Sequence, residues 1–329
     1  MTELQSIFER ITKLKVGVLG DVMLDSYIWG KVDRISPEAP VPIVTLHHKE
    51  ERIGGAANVA LNCRSMGAEV FAIGVMGDDD NAASLERLLL AEKIDTSYLL
   101  KSKKRTTTNK TRILSRNQQM MRLDEEVTSD LDIKDENLLI AGVKKFIAET
   151  NPEILIFEDY NKGVLTEKVI LEVIALCKDA GVITTVDPKR KNFFTYRGVD
   201  IFKPNLKEVK EALNKLFEDA DLYLLRNIHA ELQQQLQHDI SLITLSEKGI
   251  FYQQDENATI IPSHFRKITD VSGAGDTVIA VASLVYAATR NAHLMAEIAN
   301  IAGGLVCEEV GTIAINKEKL YHECMLLLS

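Results

Sequence analysis

The sequence predicts an α/β fold with a mostly parallel central sheet and a small β lid. Three observations lead to this prediction. Short apolar runs alternate with helical patterns along most of the chain, as expected for parallel strands joined by helical crossovers. A proline-rich stretch interrupts that alternation early in the chain. Near the other end, a glycine-containing turn opens a strongly apolar helix.

Length and composition restrict the classes of protein that the chain can belong to. With 329 residues, 46% of them hydrophobic, the chain can bury a sizeable core, and we expect residues 1–329 to form one large domain. A net charge of −9 argues against binding to nucleic acid or to an anionic membrane surface. No apolar run approaches the ~20 residues of a membrane span. The four cysteines lack metal-binding spacing, so we expect reduced thiols in a cytoplasmic protein.

The first predicted elements are a short helix over residues 3–12 and a strand over 16–20 that is apolar enough to be buried on both faces. The strand lacks the G-x-G-x-x-G spacing of a dinucleotide fold. Asp21 and Asp25 follow it, at the end where open α/β sheets bind ligands. Their carboxylates suit sugar hydroxyls, although either one can instead cap the following segment.

The proline-rich stretch reads SPEAPVP over residues 36–42. Three prolines so close together exclude a helix or a central strand. Residues 105–123 form a second polar stretch rich in strand-forming residues. We therefore predict a small β lid built from residues 27–46 and 105–123, with an ordinary long loop as the alternative.

The remaining patterns continue the alternation of helix and strand. They predict helices at 56–65, 82–92, 135–149, 166–180, 205–216 and about 219–237, and strands at 69–75, 154–157, 182–186, 201–202 and 241–245. No internal repeat and no low-complexity linker divides them. One α/β domain with an inserted lid fits this pattern better than two domains.

The glycine-containing turn near the end of the chain reads DVSGAGDT over residues 270–277. The small residues Gly273, Ala274 and Gly275 open a helix whose first N–H groups are exposed to a ligand, which makes an anion site. Asp276 stands in the first turn of that helix. It either caps the helix and complements its dipole, or it belongs to a phosphate-transfer site, which we favour because a cap would stand before the glycines.

A second pair of glycines opens an earlier helix, in the stretch GGAAN over residues 54–58. Gly54 and Gly55 allow the backbone to approach a ligand closely. Asn58 offers both a donor and an acceptor to a hydroxyl group. The structural alternative is a tight turn with a capping Asn.

Two further stretches follow strands at the predicted carboxyl edge. Asn205 and Glu208 stand three apart in the first turn of a helix, where they either form a capping box or contact Mg²⁺ through water. The stretch SEKG over residues 246–249 suits the phosphates or ribose of a nucleotide, but a hairpin turn has the same composition.

Basic residues are concentrated at a few positions of this acidic chain, among them Arg112, Arg116, Arg122, Lys162 and the run 189–191. Such residues usually form a solvated face. Beside strand ends, however, they are suited to hold a phosphate that the substrate already carries.

Taken together, these motifs resemble those of the ribokinase-like (PfkB) carbohydrate kinases over nearly the whole chain. The resemblance rests on GGAAN at 54–58, PNLKE at 204–208 and DVSGAGD at 270–276, in that order. It implies a ribokinase-like three-layer sandwich, ATP and Mg²⁺ as cofactors, a small sugar or sugar phosphate as acceptor, and a homodimer formed through the β lid.

The resemblance also implies roles for individual residues. Asp276 would be the base that takes the proton of the sugar hydroxyl. The residues implied for the other parts of the site are Gly273, Ala274 and Gly275 at the anion hole, Asn205 and Glu208 at Mg-ATP, Thr244, Ser246 and Gly249 along the nucleotide, and Asp25, Gly54, Gly55 and Asn58 at the sugar. Ser246 stands where many relatives have Gly.

Within the family, the chain looks most like members that phosphorylate D-glycero-β-D-manno-heptose 7-phosphate at O1, a step of lipopolysaccharide core synthesis. The stretches that carry this narrower likeness are 20–25, 34–42, 114–119, 122–124, 159–163 and 187–189. Arg116, Lys162 and Lys189 are the candidates for holding the 7-phosphate. We do not expect the nucleotidyltransferase domain that is fused to some relatives. The alternatives are a family kinase for ribose, fructose or a fructose phosphate, and a non-catalytic sugar-phosphate sensor.

Overall fold

The structure is a computed structural model that describes residues 3–116, 118–217, 220–264 and 266–328. Asn117, within one of the stretches that carry the family likeness, and residue 219, where a helix was predicted to begin, lie outside these ranges. Among the described residues, no helix is both long enough and apolar enough to cross a membrane.

The chain forms thirteen described strands and ten described α-helices. The strands are β1 Lys15–Gly20, β2 Val22–Ile35, β3 Pro42–Gly55, β4 Glu69–Gly77, β5 Asp95–Ser102, β6 Thr108–Ser115, β7 Gln118–Glu125, β8 Ile154–Glu158, β9 Ile183–Asp187, β10 Ile201–Phe202, β11 Ile240–Thr244, β12 Ile250–Gln254 and β13 Asn257–Ile261. The helices are α1 Glu3–Ile11, α2 Ala56–Ser65, α3 Asp80–Ala91, α4 Ile133–Thr150, α5 Glu167–Ala180, α6 Leu206–Ala212, α7 Leu222–Leu236, α8 Ala274–Thr289, α9 Ala292–Val306 and α10 Lys317–Leu327.

Nine strands form the central sheet, in the order β13-β12-β11-β10-β9-β8-β1-β4-β5. All neighbours are parallel except at one edge, where β12 pairs antiparallel with both β11 and β13. The carboxyl ends of β1, β8, β9 and β10 therefore meet at one edge of the sheet.

Helices cover both faces of this sheet. Along β8, Ile154 and Ile156 point into one hydrophobic core and Leu155 and Phe157 into the other, because successive strand residues point to opposite faces. The first core is completed by α1, α2, α3, α8, α9 and α10, and the second by α4, α5, α6 and α7. This three-layer arrangement confirms the predicted α/β fold with a mostly parallel sheet.

A second sheet of four strands has the order β3-β2-β6-β7. Its strands extend past the segments that we predict to act as a lid: β2 begins at Val22, β3 ends at Gly55 and β7 ends at Glu125. Pro37 and Pro40 lie in the connection between β2 and β3, and Pro42 is the first residue of β3, so no proline interrupts a strand. Met23 of β2 pairs with Gly54 of β3, which places the glycine pair at the base of this sheet.

Several elements differ from the predicted pattern. Helix α6 ends at Ala212 instead of continuing to residue 216, because Asn214 adopts a left-handed φ of 50°. The described elements without a predicted counterpart are β5, β12, β13, α9 and α10. The β12–β13 hairpin lies at one edge of the central sheet. Its polar residues, among them Gln253, Gln254 and Asn257, interrupt the apolar pattern by which a strand is predicted.

Candidate active site

The glycine-containing turn forms the start of α8. Gly273, the residue before this helix, has a φ of 77°, which a residue without Cβ adopts at no steric cost. A Cβ at this position would lie 3.0 Å from Cγ2 of Thr312 and 3.3 Å from Nδ2 of Asn58. In the described part of the chain, no side chain caps this helix start. The N–H of Ala274 donates to the backbone oxygen of Val271 at 3.3 Å, whereas those of Gly273 and Gly275 have no partner among the described residues and are left for a ligand.

Asp276 lies in the first turn of α8, and its side chain contacts two other elements. Oδ2 accepts a hydrogen bond of 2.7 Å from Nδ2 of Asn58, and Oδ1 accepts one of 2.8 Å from the hydroxyl of Tyr160. Its carboxylate therefore does not cap the helix. Burial raises the pKa of Asp276, while the hydrogen bonds from Asn58 and Tyr160 act in the opposite direction. Asp276 is thus a buried carboxylate held in a fixed orientation, with a pKa above the ordinary value.

Tyr160 is positioned by a loop that Asp21 holds. The Asp21 carboxylate accepts backbone hydrogen bonds from Tyr160 at 2.8 Å, Lys162 at 3.0 Å and Val164 at 3.2 Å. Burial raises the pKa of Asp21, and the same three N–H groups oppose that shift. Asp21 thus orders the loop that carries Tyr160 and does not cap the segment that follows it; its contact with the sugar stays a prediction.

Asp25, on β2, lies beside the glycine pair. Its Oδ1 accepts a hydrogen bond of 2.5 Å from Nη1 of Arg112. A Cβ on Gly54 would lie 2.5 Å from Oδ2 of Asp25, and a Cβ on Gly55, whose φ is 58°, would lie 2.5 Å from the backbone oxygen of Asp21. Only glycine fits at either position. The structure therefore brings Asp25, Gly54 and Gly55 together, and α2 carries Asn58 from there to Asp276.

Asn205 and Glu208 form a capping box at the start of α6. The Asn205 N–H donates to Oε2 of Glu208 at 2.8 Å, and the Glu208 N–H donates to Oδ1 of Asn205 at 2.9 Å. The other oxygen of Glu208, Oε1, accepts a hydrogen bond of 2.8 Å from Nζ of Lys189. The capping-box interpretation is therefore correct for this helix, and one oxygen of Glu208 faces away from the helix.

A chain of ion pairs leads from Glu208 toward the start of α8. Lys189 also contacts Oδ1 of Asp187 at 3.0 Å, and Oδ2 of Asp187 lies 2.8 Å from Nζ of Lys203. A Cβ on Gly275 would lie 3.7 Å from the same Oδ2 atom. Burial alone would raise the pKa of Asp187, but Lys189 and Lys203 hold it below its usual value. Two ammonium groups are thus fixed beside the glycine-containing turn.

Glu158, the last residue of β8, is a buried acid beside this network. It is fully buried, and neither carboxylate oxygen has a hydrogen-bond partner among the described residues. Burial raises its pKa well above the ordinary value, and the neighbouring charges of Asp187 and Asp276 raise it further. Burial and the neighbouring carboxylates therefore favour the neutral form of Glu158.

Thr244, Ser246 and Gly249 lie next to the capping box. Thr244 forms a parallel bridge with Asn205, and its N–H donates to the oxygen of Pro204 at 3.2 Å. A single 3₁₀ turn, Ser246–Lys248, follows, and Gly249 has a φ of 99°. This segment joins the antiparallel strands β11 and β12, so the hairpin alternative describes its local structure.

The basic residues considered for the 7-phosphate lie in three different places. Lys162 forms an ion pair of 2.6 Å with Glu126. Lys189 lies with Glu208, on the side implied for Mg-ATP. Arg116 is exposed in the connection between β6 and β7, at the end of the second sheet remote from Asp25.

Residues without a role assigned from the sequence occupy central positions in this site. They are Lys110, Glu158, Tyr160, Asp187 and Lys203. The last four stand at or directly after the carboxyl ends of β8, β9 and β10. Position at a strand end is thus the signal that identifies them, whereas Lys110 lies within a strand of the second sheet and gives no such signal.

The family model for pfkB family carbohydrate kinases matches residues 13–319. The bifunctional protein HldE of Syntrophotalea carbinolica is 36% identical over 326 residues, which cover 98% of this chain and 65% of that protein. The bifunctional protein HldE of Methylobacillus flagellatus is 40% identical over 306 residues, covering 93% and 62%. The chain thus spans less than two thirds of the length of these curated relatives.

Two solved structures are similar in fold. Phosphofructokinase-2 from Escherichia coli superposes with a TM-score of 0.78 at 18% identity, covering 95% of this chain and 99% of that one. A ribokinase from Arabidopsis thaliana, solved with ribose and ATP, superposes with a TM-score of 0.72 at 16% identity, covering 94% and 99%. These superpositions confirm the predicted ribokinase-like fold.

Proposed function

Because this chain belongs to the pfkB family of carbohydrate kinases and is therefore a sugar kinase, we propose that it uses ATP to phosphorylate D-glycero-β-D-manno-heptose 7-phosphate at O1. The product is the 1,7-bisphosphate, used for ADP-heptose and lipopolysaccharide core synthesis. The choice of sugar is supported by relatives named HldE, a heptose kinase/ADP-heptose synthase, which match at 36% and 40% identity over nearly the whole chain.

The observation that carries the proposed chemistry is the orientation of Asp276. One hydrogen bond reaches each of its oxygens, from Asn58 and from Tyr160. Each carboxylate oxygen can accept a second hydrogen bond, so a sugar hydroxyl can donate to Asp276 without displacing either partner. Asp276 accepts the proton of that hydroxyl as the oxygen attacks the γ-phosphoryl group.

The start of α8 and the two lysines supply the positive environment for the transferred group. Gly273, Ala274 and Gly275 lie at the positive end of α8, where the N–H groups of the two glycines have no partner among the described residues. Lys203 is buried beside them, and Lys189 joins the same network. Groups fixed in this way stabilise developing negative charge without having to reorganise during the reaction.

Asn205, Glu208, Thr244, Ser246 and Gly249 are the residues that we propose for the nucleotide. Magnesium bound with ATP neutralises phosphate charge and aligns the phosphates. Among the described residues, no group of three His, Cys, Asp or Glu side chains is arranged to hold a metal ion. Because the capping box already uses Oδ1 of Asn205 and Oε2 of Glu208, these residues suit contacts to the metal through water.

At the sugar, we propose contacts from Asp25, Gly54, Gly55 and Asn58. Asp25 is paired with Arg112, which fixes the carboxylate while leaving lone pairs for hydroxyl groups. Arg116, Lys162 and Lys189 remain the candidates from the sequence for the 7-phosphate. The second sheet acts as a lid that closes over the sugar and excludes water.

We propose that the protein is a cytoplasmic homodimer formed through the second sheet, with residues 1–329 as one kinase domain. Large apolar side chains are exposed on this sheet, namely Ile35, Val41, Leu46, Met120, Met121 and Leu123. Pairing of two such sheets covers these side chains and the exposed edges of the outer strands.

Coupled assays of ADP formation test the proposed function. Heptose 7-phosphate, fructose 6-phosphate and ribose are compared as acceptors, with the Asp276→Asn variant as the control for contaminating kinases. We expect kcat/KM for the heptose phosphate to exceed that for either other sugar by at least about tenfold. A higher kcat/KM for fructose 6-phosphate or ribose would reassign the substrate, and sugar binding without ADP formation by the wild-type protein would favour the sensor alternative.

A further inference from the structure

Lys110, near the start of β6, is a basic residue beside the site that the proposed function leaves without a role. We propose that Lys110 binds the phosphate that the sugar already carries, and thereby selects phosphorylated sugars as acceptors. The inference rests on the proposed function, because it concerns the acceptor site of the same kinase.

The first argument is the balance of charge around Lys110. The other basic side chains nearby are matched to carboxylates: Arg112 to Asp25, Arg122 to Asp124, Lys162 to Glu126, and Lys189 to Asp187 and Glu208. Among the described residues, Nζ of Lys110 has neither an ion pair nor a hydrogen bond. Lys110 is therefore the member of this cluster whose ammonium group contacts no carboxylate among the described residues.

The second argument is that partial burial of this charged ammonium group destabilises the protein. Lys110 is partly buried, and burial together with the cations of Lys162, Arg122 and Arg112 lowers its pKa, while Asp25 opposes the shift. An ammonium group withdrawn from water without a counter-ion destabilises the protein. A phosphate group would supply the missing negative charge and accept hydrogen bonds from the ammonium group.

The third argument is distance from the base. Nζ of Lys110 lies 5.3 Å from the centre of the Tyr160 ring, and the hydroxyl on that ring donates to Asp276 at 2.8 Å. The ammonium group and the base thus contact the same side chain, Tyr160, one at the ring and the other at the hydroxyl. A sugar phosphate whose reacting hydroxyl faces Asp276 has its phosphate at the other end of the sugar ring, so a cation on the far side of Tyr160 from the base suits that phosphate.

The phosphate at Lys110 has two conceivable sources, the sugar and the γ-phosphoryl group of ATP. Lys189 also lies near the Tyr160 ring, at 5.7 Å from its centre, but it is joined to Glu208 on the proposed nucleotide side. Lys110 instead pairs in register with Asp25 on the neighbouring strand β2, on the proposed sugar side. The position of Lys110 therefore favours the phosphate of the sugar.

Steady-state kinetics of Lys110→Met and Lys110→Arg test this inference, with Lys103→Met as the control because Lys103 is exposed on the loop before β6. We use whichever phosphorylated sugar the wild-type protein turns over best. Lys110→Met should raise KM for that sugar by about ten- to a hundredfold, as expected for the loss of a charge-assisted contact. KM for ATP should stay within about twofold, Lys110→Arg should recover most of the loss, and Lys103→Met should match the wild type.

The outcomes separate this inference from the proposed function. If the preferred acceptor is a sugar phosphate other than the heptose, the assignment of the sugar fails, but a selective rise in its KM still supports the role of Lys110. An unchanged KM for the sugar phosphate overturns the role of Lys110. A rise in KM for ATP with a fall in kcat also overturns it, because the γ-phosphoryl group would then be the anion bound. Isothermal titration calorimetry checks the result: each folded variant is titrated with the sugar phosphate and with the dephosphorylated sugar. Lys110→Met should bind the sugar phosphate more weakly than the wild type does, and should bind the dephosphorylated sugar equally well.

Discussion

The hydroxyl of Tyr160 donates a 2.8 Å hydrogen bond to Oδ1 of Asp276, across 116 positions of the chain. The partner of the other oxygen, Asn58, lies still farther away, at 218 positions. Three separate elements therefore meet at one carboxylate: the loop after β8, helix α2 and helix α8. The orientation of the proposed base therefore depends on all three elements.

Replacement of the proposed base should abolish turnover while leaving the fold intact. Asp276→Asn keeps the size of the side chain and can still accept from Asn58, but it cannot take a proton. We expect kcat to fall by about 10²- to 10⁴-fold, in the range of general base catalysis, with little change in ATP affinity. Asp255→Asn, in the exposed turn between β12 and β13, is the matched control. Turnover close to that of the wild type in Asp276→Asn would exclude the base role.

Removal of the Tyr160 hydroxyl should change the pH dependence of the reaction. The hydrogen bond from Tyr160 stabilises the ionised form of Asp276 and so lowers its pKa. Tyr160→Phe removes that effect, and the pKa of Asp276 rises. Because the base must be ionised, the acid limb of the kcat/KM profile should move to higher pH. Tyr223→Phe, at an exposed tyrosine, should leave the profile unchanged, and an unmoved acid limb in Tyr160→Phe would contradict the coupling.

A methyl group on Gly54 should disturb the sugar side of the site. Gly54→Ala places Cβ 2.5 Å from Oδ2 of Asp25, which must move away. We expect KM for the sugar to rise by about tenfold or more while KM for ATP is retained. Gly142→Ala, in helix α4, has no atom within 4 Å of the added Cβ and should instead raise the free energy of unfolding by about 0.5–1 kcal/mol. An unaltered sugar KM in Gly54→Ala would show that Asp25 does not contact the sugar.

Loss of Lys189 should destabilise the protein in a pH-dependent manner. Lys189→Met leaves Asp187 and Glu208 without their shared cation, and we expect the free energy of unfolding to fall by about 3 kcal/mol at pH 7. The folded protein holds the pKa of Asp187 below its unfolded value, so this contribution is present at neutral pH and is lost as the pH falls through the folded pKa. Urea titrations should therefore give a smaller difference from the wild type in acid.

The control for that prediction is Lys191→Met. Lys191 pairs with Asp130 at the surface, where both side chains are about half exposed, so its loss should cost less than about 1 kcal/mol. Equal destabilisation by the two substitutions would show that the ion pairs of Lys189 contribute no more to the free energy of unfolding than a surface ion pair does.

Charges placed on the second sheet should prevent dimer formation. Met121→Lys combined with Leu123→Lys introduces two cations among the exposed apolar side chains of β7, where burial against a partner would be costly. Size-exclusion chromatography with light scattering should show a dimer for the wild type and a monomer for this variant. Leu171→Lys, on an exposed position of α5, should remain dimeric. A dimer in both variants would place the interface elsewhere.

The sequence predicts most of the central fold because its signals are local. The apolar run of β8 indicates a strand buried on both faces, and the glycines at 54, 55 and 273 indicate backbone close to a ligand. The β12–β13 edge hairpin has no predicted counterpart, because the half-buried Gln253 and Gln254 and the exposed Asn257 interrupt its apolar pattern. The contacts of the site depend on residues far apart in the chain. No spacing rule reports that Tyr160 reaches Asp276, or that Asp21 serves the loop after β8.

The three backbone hydrogen bonds that Asp21 accepts have a consequence for the divergence of such enzymes. The loop at 160–164 is on the proposed acceptor side of the site. Substitutions in such a loop ordinarily have little effect on stability or on the catalytic groups. Here the same loop positions Tyr160, which donates to the proposed base Asp276, and the loop itself is ordered by the carboxylate of Asp21 after β1. We therefore expect a substitution at Asp21 to alter substrate fit and proton transfer at the same time, so that the loop cannot be changed independently of its carboxylate.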